Sequence, residues 1–489
     1  MEQRGIQRLS GCQDILAEDV AVREAVGVGL RSLLALHGYR PVETPVLERA
    51  ELYLRKSGGE MAARLLAMSD PGGERISPRP EFTASVIRAY VEREADLPLP
   101  VRWQYAGPVF RAYPAEGSPV TQFTQIGAEL IGSASPQADA EVVGVACRGL
   151  AEVGLREHHP VIGHVGVLSG ILEAMGLSDR ASMFLLSSIG RLREGDAGVL
   201  AVKERATEVG LLGHRSGESA LEELARGMSD NELRALLQSM VQGTRPEALG
   251  SRTPDEIAAR FLAKLRRADD PRRVEQAIDT LAHLCRIQGE PEQAFREAAR
   301  YVQGRGLDPA PVARFQALMD FMQKADVPTR GMTVDFGLAR GIAYYTGLVF
   351  ELQHNSSEGV VRLGGGGRYD GLIRALGGRG DVPAMGFAYS VERLVEALRA
   401  EGRTASAVVS AERILVVPEA DAYPQAQTYA GELRRRGVVA EMEVSGRTPE
   451  DALVYARSAG MTGVVVVDAH GKAREMRTKE GRHAAPRSA

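Results

Sequence analysis

The stretch VFRAYPAEGSPVTQFTQIGAELIG, residues 109–132, reads as two strands around a loop. The first strand ends in a single arginine, Arg111. The second carries Gln125 and Glu129, four residues apart, so both project from one face, about 13 Å apart at the rise of a strand residue. An arginine beside such a Gln/Glu face can hold an anionic group and an amino group together. The loop from Pro114 to Thr121 contains no Arg or Lys. The hairpin is therefore equipped to bind a ligand but poor in the cations that phosphate chemistry needs.

The rest of the chain sets the frame around that hairpin. Its 489 residues allow two to four domains with full-sized cores. A hydrophobic content of 44% and a charged content of 25% are those of an ordinary soluble globular protein. The net charge of −4 gives no global pull toward nucleic acid or an anionic membrane, so any RNA contact must rest on a local basic patch. Cys12, Cys147 and Cys285 lie far apart with no CxxC pair, which fits a reducing cytoplasm and argues against a zinc site. No apolar run reaches the ~18 residues that span a bilayer. The N-terminus, MEQRGIQRLSG, has no apolar core of a secretory signal.

Residues 18–37 read as an amphipathic helix with apolar positions at Val26, Val28, Leu30, Leu33 and Leu34, ended by Gly38. YRPVETPVLE reads as an extended strand broken by prolines. RISPRPEFTASVIRAYVERE reads as a short strand and a helix, and a further helix starts near Ser135. From about 168 to 330 strand signals give way to helical periodicity, including a Thr253–Glu256 capping box. This reads as an all-helical insertion. Strands return in MTVDFGLARGIAYYTGLVFEL and GVVRLGGGGRYDGLIRALGG. Residues 401–410 read as a linker. Beyond it the pattern is β-α-β-α-β, a small α/β domain, ending in a basic tail, GKAREMRTKEGRH, that reads as disordered and solvated.

Four constellations carry chemistry. On a strand, Arg340, Ile342, Tyr344 and Thr346 would share a face, and a buried arginine there needs an anionic partner, either a core carboxylate or a ligand. The four glycines of GGGGRYDGL, residues 364–372, let a backbone or a ligand come close, or form a tight loop before a helix; no Lys-Ser/Thr follows, so this is not a P-loop. Glu81 and Thr83 stand just before a helix, where they can hold an ammonium or cap the helix. Arg393 falls in the first turn of a helix that Ser390 could cap, a place that favours anions, or a surface ion pair. The His158–His159 pair reads as a solvated loop, and Trp103 as packing.

Taken together these pieces resemble the class II aminoacyl-tRNA synthetases, specifically the histidyl-tRNA synthetase-like group. GYRPVETPVLE resembles the first class II motif, whose proline (here Pro45) lies at the dimer interface. The hairpin resembles the second, with Arg111 as its arginine, and PAMGFAYSVERL the third, with Arg393. RGIAYYTGLVFE and GGGGRYDGL are similar to the two histidine signatures. The resemblance implies an α+β fold: an antiparallel sheet flanked by helices in a homodimer, as a core over 1–167 and 331–400, a helical insertion over 168–330, and an anticodon-binding-like α/β domain over 411–489. It implies that Glu81, Thr83 and Gln125 hold an α-amino group and that Glu129 and Tyr344, with Tyr345, read an imidazole. It places Arg111 and Arg340 at the carboxylate and α-phosphate, and Arg393 at the ATP phosphates.

The chain departs from the ligase pattern at several points. Tyr113 stands where the second motif has a glutamate, Pro119 and Thr121 where its loop has arginines, Ala343 where the first signature has an aspartate, and Ser390 where the third motif has a glycine. Adenylation brings a carboxylate against a triphosphate and needs several preorganised cations. Those losses imply a paralogue that binds histidine without activating it. The branch expected is the histidine-sensing regulatory subunit of ATP phosphoribosyltransferase, partnered by its short catalytic subunit in the first step of histidine biosynthesis. On that expectation the protein is cytoplasmic, has no tightly bound cofactor and takes histidine as ligand. The C-terminal domain favours the alternative, a histidine–tRNA ligase with ATP and Mg2+, in which Arg111 and Arg340 would be catalytic. A paralogue that binds tRNA without charging it is the third reading.

Overall fold

The structure, a computed structural model, describes residues 6–55, 63–113, 118–212, 232, 235, 269–325, 327–328, 331–338, 344–356, 359–403, 412–419 and 421–477. Arg340, Ala343 and the Thr253–Glu256 box lie outside these residues. The chain forms two compact units, Met1–Ala405 and Ser406–Ala489.

The first unit is built on a nine-stranded sheet among the described residues. Its strands are β1 (Arg40–Pro41), β5 (Val101–Tyr113), β6 (Ser118–Ile131), β7 (His159–His164), β8 (Gln288–Gly289), β9 (Thr333–Asp335), β10 (Leu348–Ser356), β11 (Gly359–Arg368) and β12 (Ala384–Ser390), in the order β1-β5-β6-β12-β11-β10-β7-β9-β8. All neighbours are antiparallel except β1–β5 and β7–β9. A second small sheet joins β2 (Leu47–Arg49), β3 (Met68–Ser69) and β4 (Arg75–Pro78) in the order β2-β4-β3. The hairpin β5–β6 is longer than the sequence suggests: ladder pairing runs on through Arg111↔Thr121 to Tyr113↔Ser118, so residues 118–121, expected in the loop, belong to β6.

Side-chain alternation along β6 decides what each face of the sheet does. Ile126, Ala128 and Leu130 enter a large core with Leu30, Leu34, Val143, Leu150, Phe350 and Phe387. Gln125 and Glu129 therefore turn to the opposite face, where the helix Thr83–Val91 packs. The helix Ala17–Leu36 buries Val26, Leu30 and Leu34, a stripe of spacing four; Val28 is 65% exposed, because two residues turn it about 200° from Val26. Gly38 follows with φ 83, the left-handed stop. Ser135 caps the helix Pro136–Glu152 by accepting from the Ala138 N–H.

Among the described residues, the helices between positions 165 and 324 do not form a core of their own. Leu168, Ile171, Ile278, Leu281 and Phe315 share the large core with the sheet. Nor is the region purely helical: Gln288–Gly289 adds the edge strand β8 against β9. His158 and His159 are half-buried rather than in a solvated loop, because β7 begins at His159 and pairs with Gln353 of β10. Among the described residues no helix is long and apolar enough to cross a membrane.

The second unit has a sheet ordered β14 (Val439–Met442), β13 (Arg413–Pro418), β15 (Gly463–Val467), β16 (Ala473–Arg477). Alternation again sorts the faces. Ile414 and Val416 pack on the helix Tyr423–Arg435 through Ala426, Ala430 and Leu433. Leu415 and Val417 pack on the helix Pro449–Ser458 through Ala452 and Ala456. Part of the tail expected to be disordered is ordered: Ala473–Arg477 pairs antiparallel with β15, because its backbone satisfies the open edge of that strand.

Candidate functional site

A cleft of about 700 Å³ opens on the face of the sheet that carries Gln125. Glu129 lies beneath its floor with no exposed surface. Its carboxylate accepts three hydroxyls: Thr83 Oγ1 at 2.7 Å, Tyr105 OH at 3.1 Å and the Tyr369 OH. Those three side chains, rather than Glu129 itself, form the cleft wall. Gly386 pairs with Glu129 across the ladder, and a Cβ there would come within 1.5 Å of Glu129 Oε2. Only a glycine lets the carboxylate lie so close to β12. Burial pushes the Glu129 carboxyl up to about 8, while the three hydroxyls pull the other way. Burial also holds the Tyr105 and Tyr369 phenols well above their usual range, so both stay protonated donors. A hydroxyl that donates to Glu129 presents its lone pairs to the cleft, ready to accept an N–H.

The neighbouring groups suit an amino acid's charged end. Glu81, 7% exposed, accepts the Ala84 N–H at 3.0 Å, so it caps the helix Thr83–Val91 and lines the cleft at once. Burial raises its carboxyl, against the pull of the Ala84 N–H, of Thr83 and of Arg111. Gln125 Oε1 is buried without a hydrogen-bond partner among the described residues, an acceptor that asks for a donor. Arg111 Nε donates to the Pro80 carbonyl at 2.9 Å, and its guanidinium stacks 5.0 Å from the Phe123 ring. Tyr344, 5% exposed, meets Tyr345 and Tyr369 edge-on, with centroids 5.1 and 5.6 Å apart.

Several sequence expectations need correction here. Tyr344–Thr346 is not a strand: β10 begins at Leu348, and Thr346 N–H instead bonds the Arg368 carbonyl at 2.8 Å. The alternate-face argument for Arg340, Tyr344 and Thr346 therefore fails over its described part. The glycine run is not a loop. Gly364–Gly367 lies inside β11, between β10 and β12, where an added Cβ at Gly366 would meet the Gly386 carbonyl at 1.9 Å. Ser390 holds the N-cap position of the helix Val391–Ala400 but makes no capping bond; its hydroxyl is 3.5 Å from Glu392. Arg393 Nη1 donates to the Arg362 carbonyl at 3.0 Å.

The cleft brings Glu81, Thr83, Arg111, Gln125, Tyr344, Tyr345 and Arg393 together. Sequence reasoning missed Tyr105 and Tyr369, although Tyr369 stood within a quoted motif. It also missed the arginines that other elements bring to the cleft: Arg23, Arg64, Arg362 and Arg399. Counting cations on the hairpin loop alone understated the positive charge available.

A mainly antiparallel sheet flanked by helices, with a ligand cleft over its central hairpin, makes this fold class II aminoacyl-tRNA synthetase-like. The chain belongs to the histidyl-tRNA synthetase family, whose model (Histidyl-tRNA synthetase) matches residues 11–243 and 233–394. Histidine–tRNA ligase of Pyrococcus horikoshii is 29% identical over 462 residues, 94% of this chain and 91% of that protein. Histidine–tRNA ligase of Methanocaldococcus jannaschii is 28% identical over 467 residues, 94% and 91%. In fold, the chain is similar to an ATP phosphoribosyltransferase regulatory subunit/histidyl-tRNA synthetase from Bacillus halodurans, with TM-score 0.65 at 21% identity over 96% of this chain and 99% of that one. It is similar also to S. aureus histidyl-tRNA synthetase, with TM-score 0.56 at 22% identity, covering 97% of each.

These relatives overturn the expected regulatory subunit of ATP phosphoribosyltransferase, and with it the short catalytic partner. The ligases match along nearly the whole chain. The Bacillus likeness, at 21% identity, speaks for the fold alone.

Proposed function

We propose that the protein is a histidine–tRNA ligase, acting in the cytoplasm, that activates histidine with ATP and transfers it to tRNA. The observation that carries histidine as the amino acid is the buried Glu129 with its three hydroxyls, and ligase relatives matched over 94% of the chain support its activation. With Glu129 ionised, the hydroxyls all donate inward and offer acceptors to the N–H of a neutral imidazole, which leaves Gln125 Oε1 and Glu81 to take an ammonium. Arg111 and Arg340 are the groups proposed for the reacting carboxylate and α-phosphate. A carboxylate oxygen of histidine attacks the α-phosphorus, the bond to the β-bridging oxygen breaks, and its electron pair leaves with pyrophosphate. Mg2+ would be held mainly by the phosphate oxygens, with one or two carboxylates of the chain. Glu351, 2% exposed in the cleft wall and paired with Arg362 at 3.2 Å, is the carboxylate proposed for it.

The reading extends to partners. Val46, Leu47, Leu54 and Met68 are exposed on and around the small sheet β2-β4-β3, an apolar patch suited to a second copy of the chain. Residues 411–489 are proposed as the anticodon-binding domain. The test is histidine-dependent ATP–pyrophosphate exchange, followed by charging of tRNA on the same purified chain. Absence of exchange with bound histidine and ATP would refute the reading.

A further inference from the structure

The loop of the hairpin carries Pro119 and Thr121 where the family pattern carries arginines, so the charge for a triphosphate must come from elsewhere or be missing. Among the described residues, six arginines line the cleft: Arg23, Arg64, Arg111, Arg362, Arg393 and Arg399. Arg23 is tied to Glu392 at 3.1 Å, Arg362 to Glu351 at 3.2 Å, and Arg399 to Asp19. Arg64 is set apart by where its backbone lies. Its carbonyl accepts the Ala112 N–H at 2.9 Å, and Ala112 is the neighbour of Arg111 on β5. Arg111 in turn pairs with Thr121 across the ladder. The segment ahead of β3 thus runs beside the hairpin at the register of one lost arginine, and the partly buried Arg64 side chain lines the cleft with Arg111, Thr121 and Gln122.

We propose that Arg64 is a nucleotide-binding residue that gives the phosphates of ATP the positive charge absent from positions 119 and 121; this rests on the ligase reading. A guanidinium beside Arg111 takes phosphate oxygens in forked hydrogen bonds. It also meets the charge that builds on pyrophosphate as it leaves.

The experiment compares the full chain with Arg64→Ala and Arg64→Lys. ATP and histidine binding are measured by calorimetry, and KM and kcat for ATP by pyrophosphate exchange. The alanine variant is expected to lose ATP affinity about tenfold or more, the usual effect of a charged hydrogen bond. Histidine affinity and thermal midpoint stay unchanged. Lysine restores part of the loss, keeping charge without the planar fork. Equal ATP affinity in the parent and the alanine variant would overturn the proposal, as would a matching loss of histidine affinity. If the parent binds ATP but does not exchange, the ligase reading falls and the calorimetric comparison still decides Arg64. If the parent binds no ATP, both fall.

Discussion

Replacing Tyr369 with Phe tests the hydroxyl cluster most directly. The change removes one of three donors to Glu129, leaves the ring against Tyr344 and empties almost no volume. A hydrogen bond to a charged group contributes about 1.5–3 kcal/mol, and about 1.4 kcal/mol corresponds to one pKa unit. The Glu129 carboxyl, already at about 8, should therefore rise by about a unit or more in the variant, because a bond that favoured the charged form is gone. Near pH 8 its ionised fraction would fall from about half to about a tenth. The remaining hydroxyls of Thr83 and Tyr105 then have less reason to point inward, and the cleft offers fewer acceptors to an imidazole N–H. The assay is calorimetric titration with histidine from about pH 6 to about pH 10 in buffers of different ionisation enthalpy, which also counts protons. Histidine's own titrations are common to both proteins and cancel in the ratio of affinities. The pH midpoint of histidine affinity should sit higher in the variant, so the ratio should widen as pH falls through about 8. A ratio constant with pH would refute the reasoning, since loss of a direct contact alone has no such dependence.

Glu129→Gln bears on stability. The folded carboxyl, at about 8 against an ordinary 4.5, lends stability that is full below the ordinary value and lost as pH rises through about 8. Urea unfolding at acid and alkaline pH should show a smaller difference for the glutamine variant, and an equal difference would reject the assignment. Gly386→Ala should expel the Glu129 carboxylate from its place over β12, at a cost of about 1–3 kcal/mol and with loss of histidine binding by calorimetry. Asp139→Ala leaves the Arg368 guanidinium, 6% exposed, without the carboxylate at 2.6 Å, and should destabilise the chain by about 3–5 kcal/mol in urea melts. A loss below 1 kcal/mol would mean that Ser133 and Asp370 already satisfy it.

What the sequence disclosed follows from how local each signal was. Gly38 as a helix stop, the helix start near Ser135 and the alternation along β6 each depend on a few adjacent residues, and the structure has all three. The glycine run left a close backbone approach and a tight loop both open because its reason is not local: Gly366 must admit Gly386 and Phe387 of a strand that lies about 20 residues on. Thr346 reads as a strand residue until its partner, Arg368, is known. Tyr105 and Tyr369 reach Glu129 across 24 and 240 residues, and nothing in either neighbourhood marks that meeting. The largest correction, from the expected regulatory subunit to a member of the histidyl-tRNA synthetase family that ligases match along nearly its whole length, concerns a reading that counted only the hairpin's own cations. The arginines of the cleft come from both ends of the first unit, from position 23 to position 399.

The glycine floor has a consequence for how this site can change. Side chains are absent from Gly364, Gly366 and Gly367 because neighbouring backbone or the Tyr345 ring fills the space each would need. The glycines thus set how closely β10, β11 and β12 pack beneath the cleft, and a side chain added at any of them would force that packing apart. Drift toward another amino acid must then run through the walls, at Thr83, Tyr105, Tyr344 and Tyr369, while the floor stays the same. A lineage that changed ligand would keep its glycines and exchange its hydroxyls.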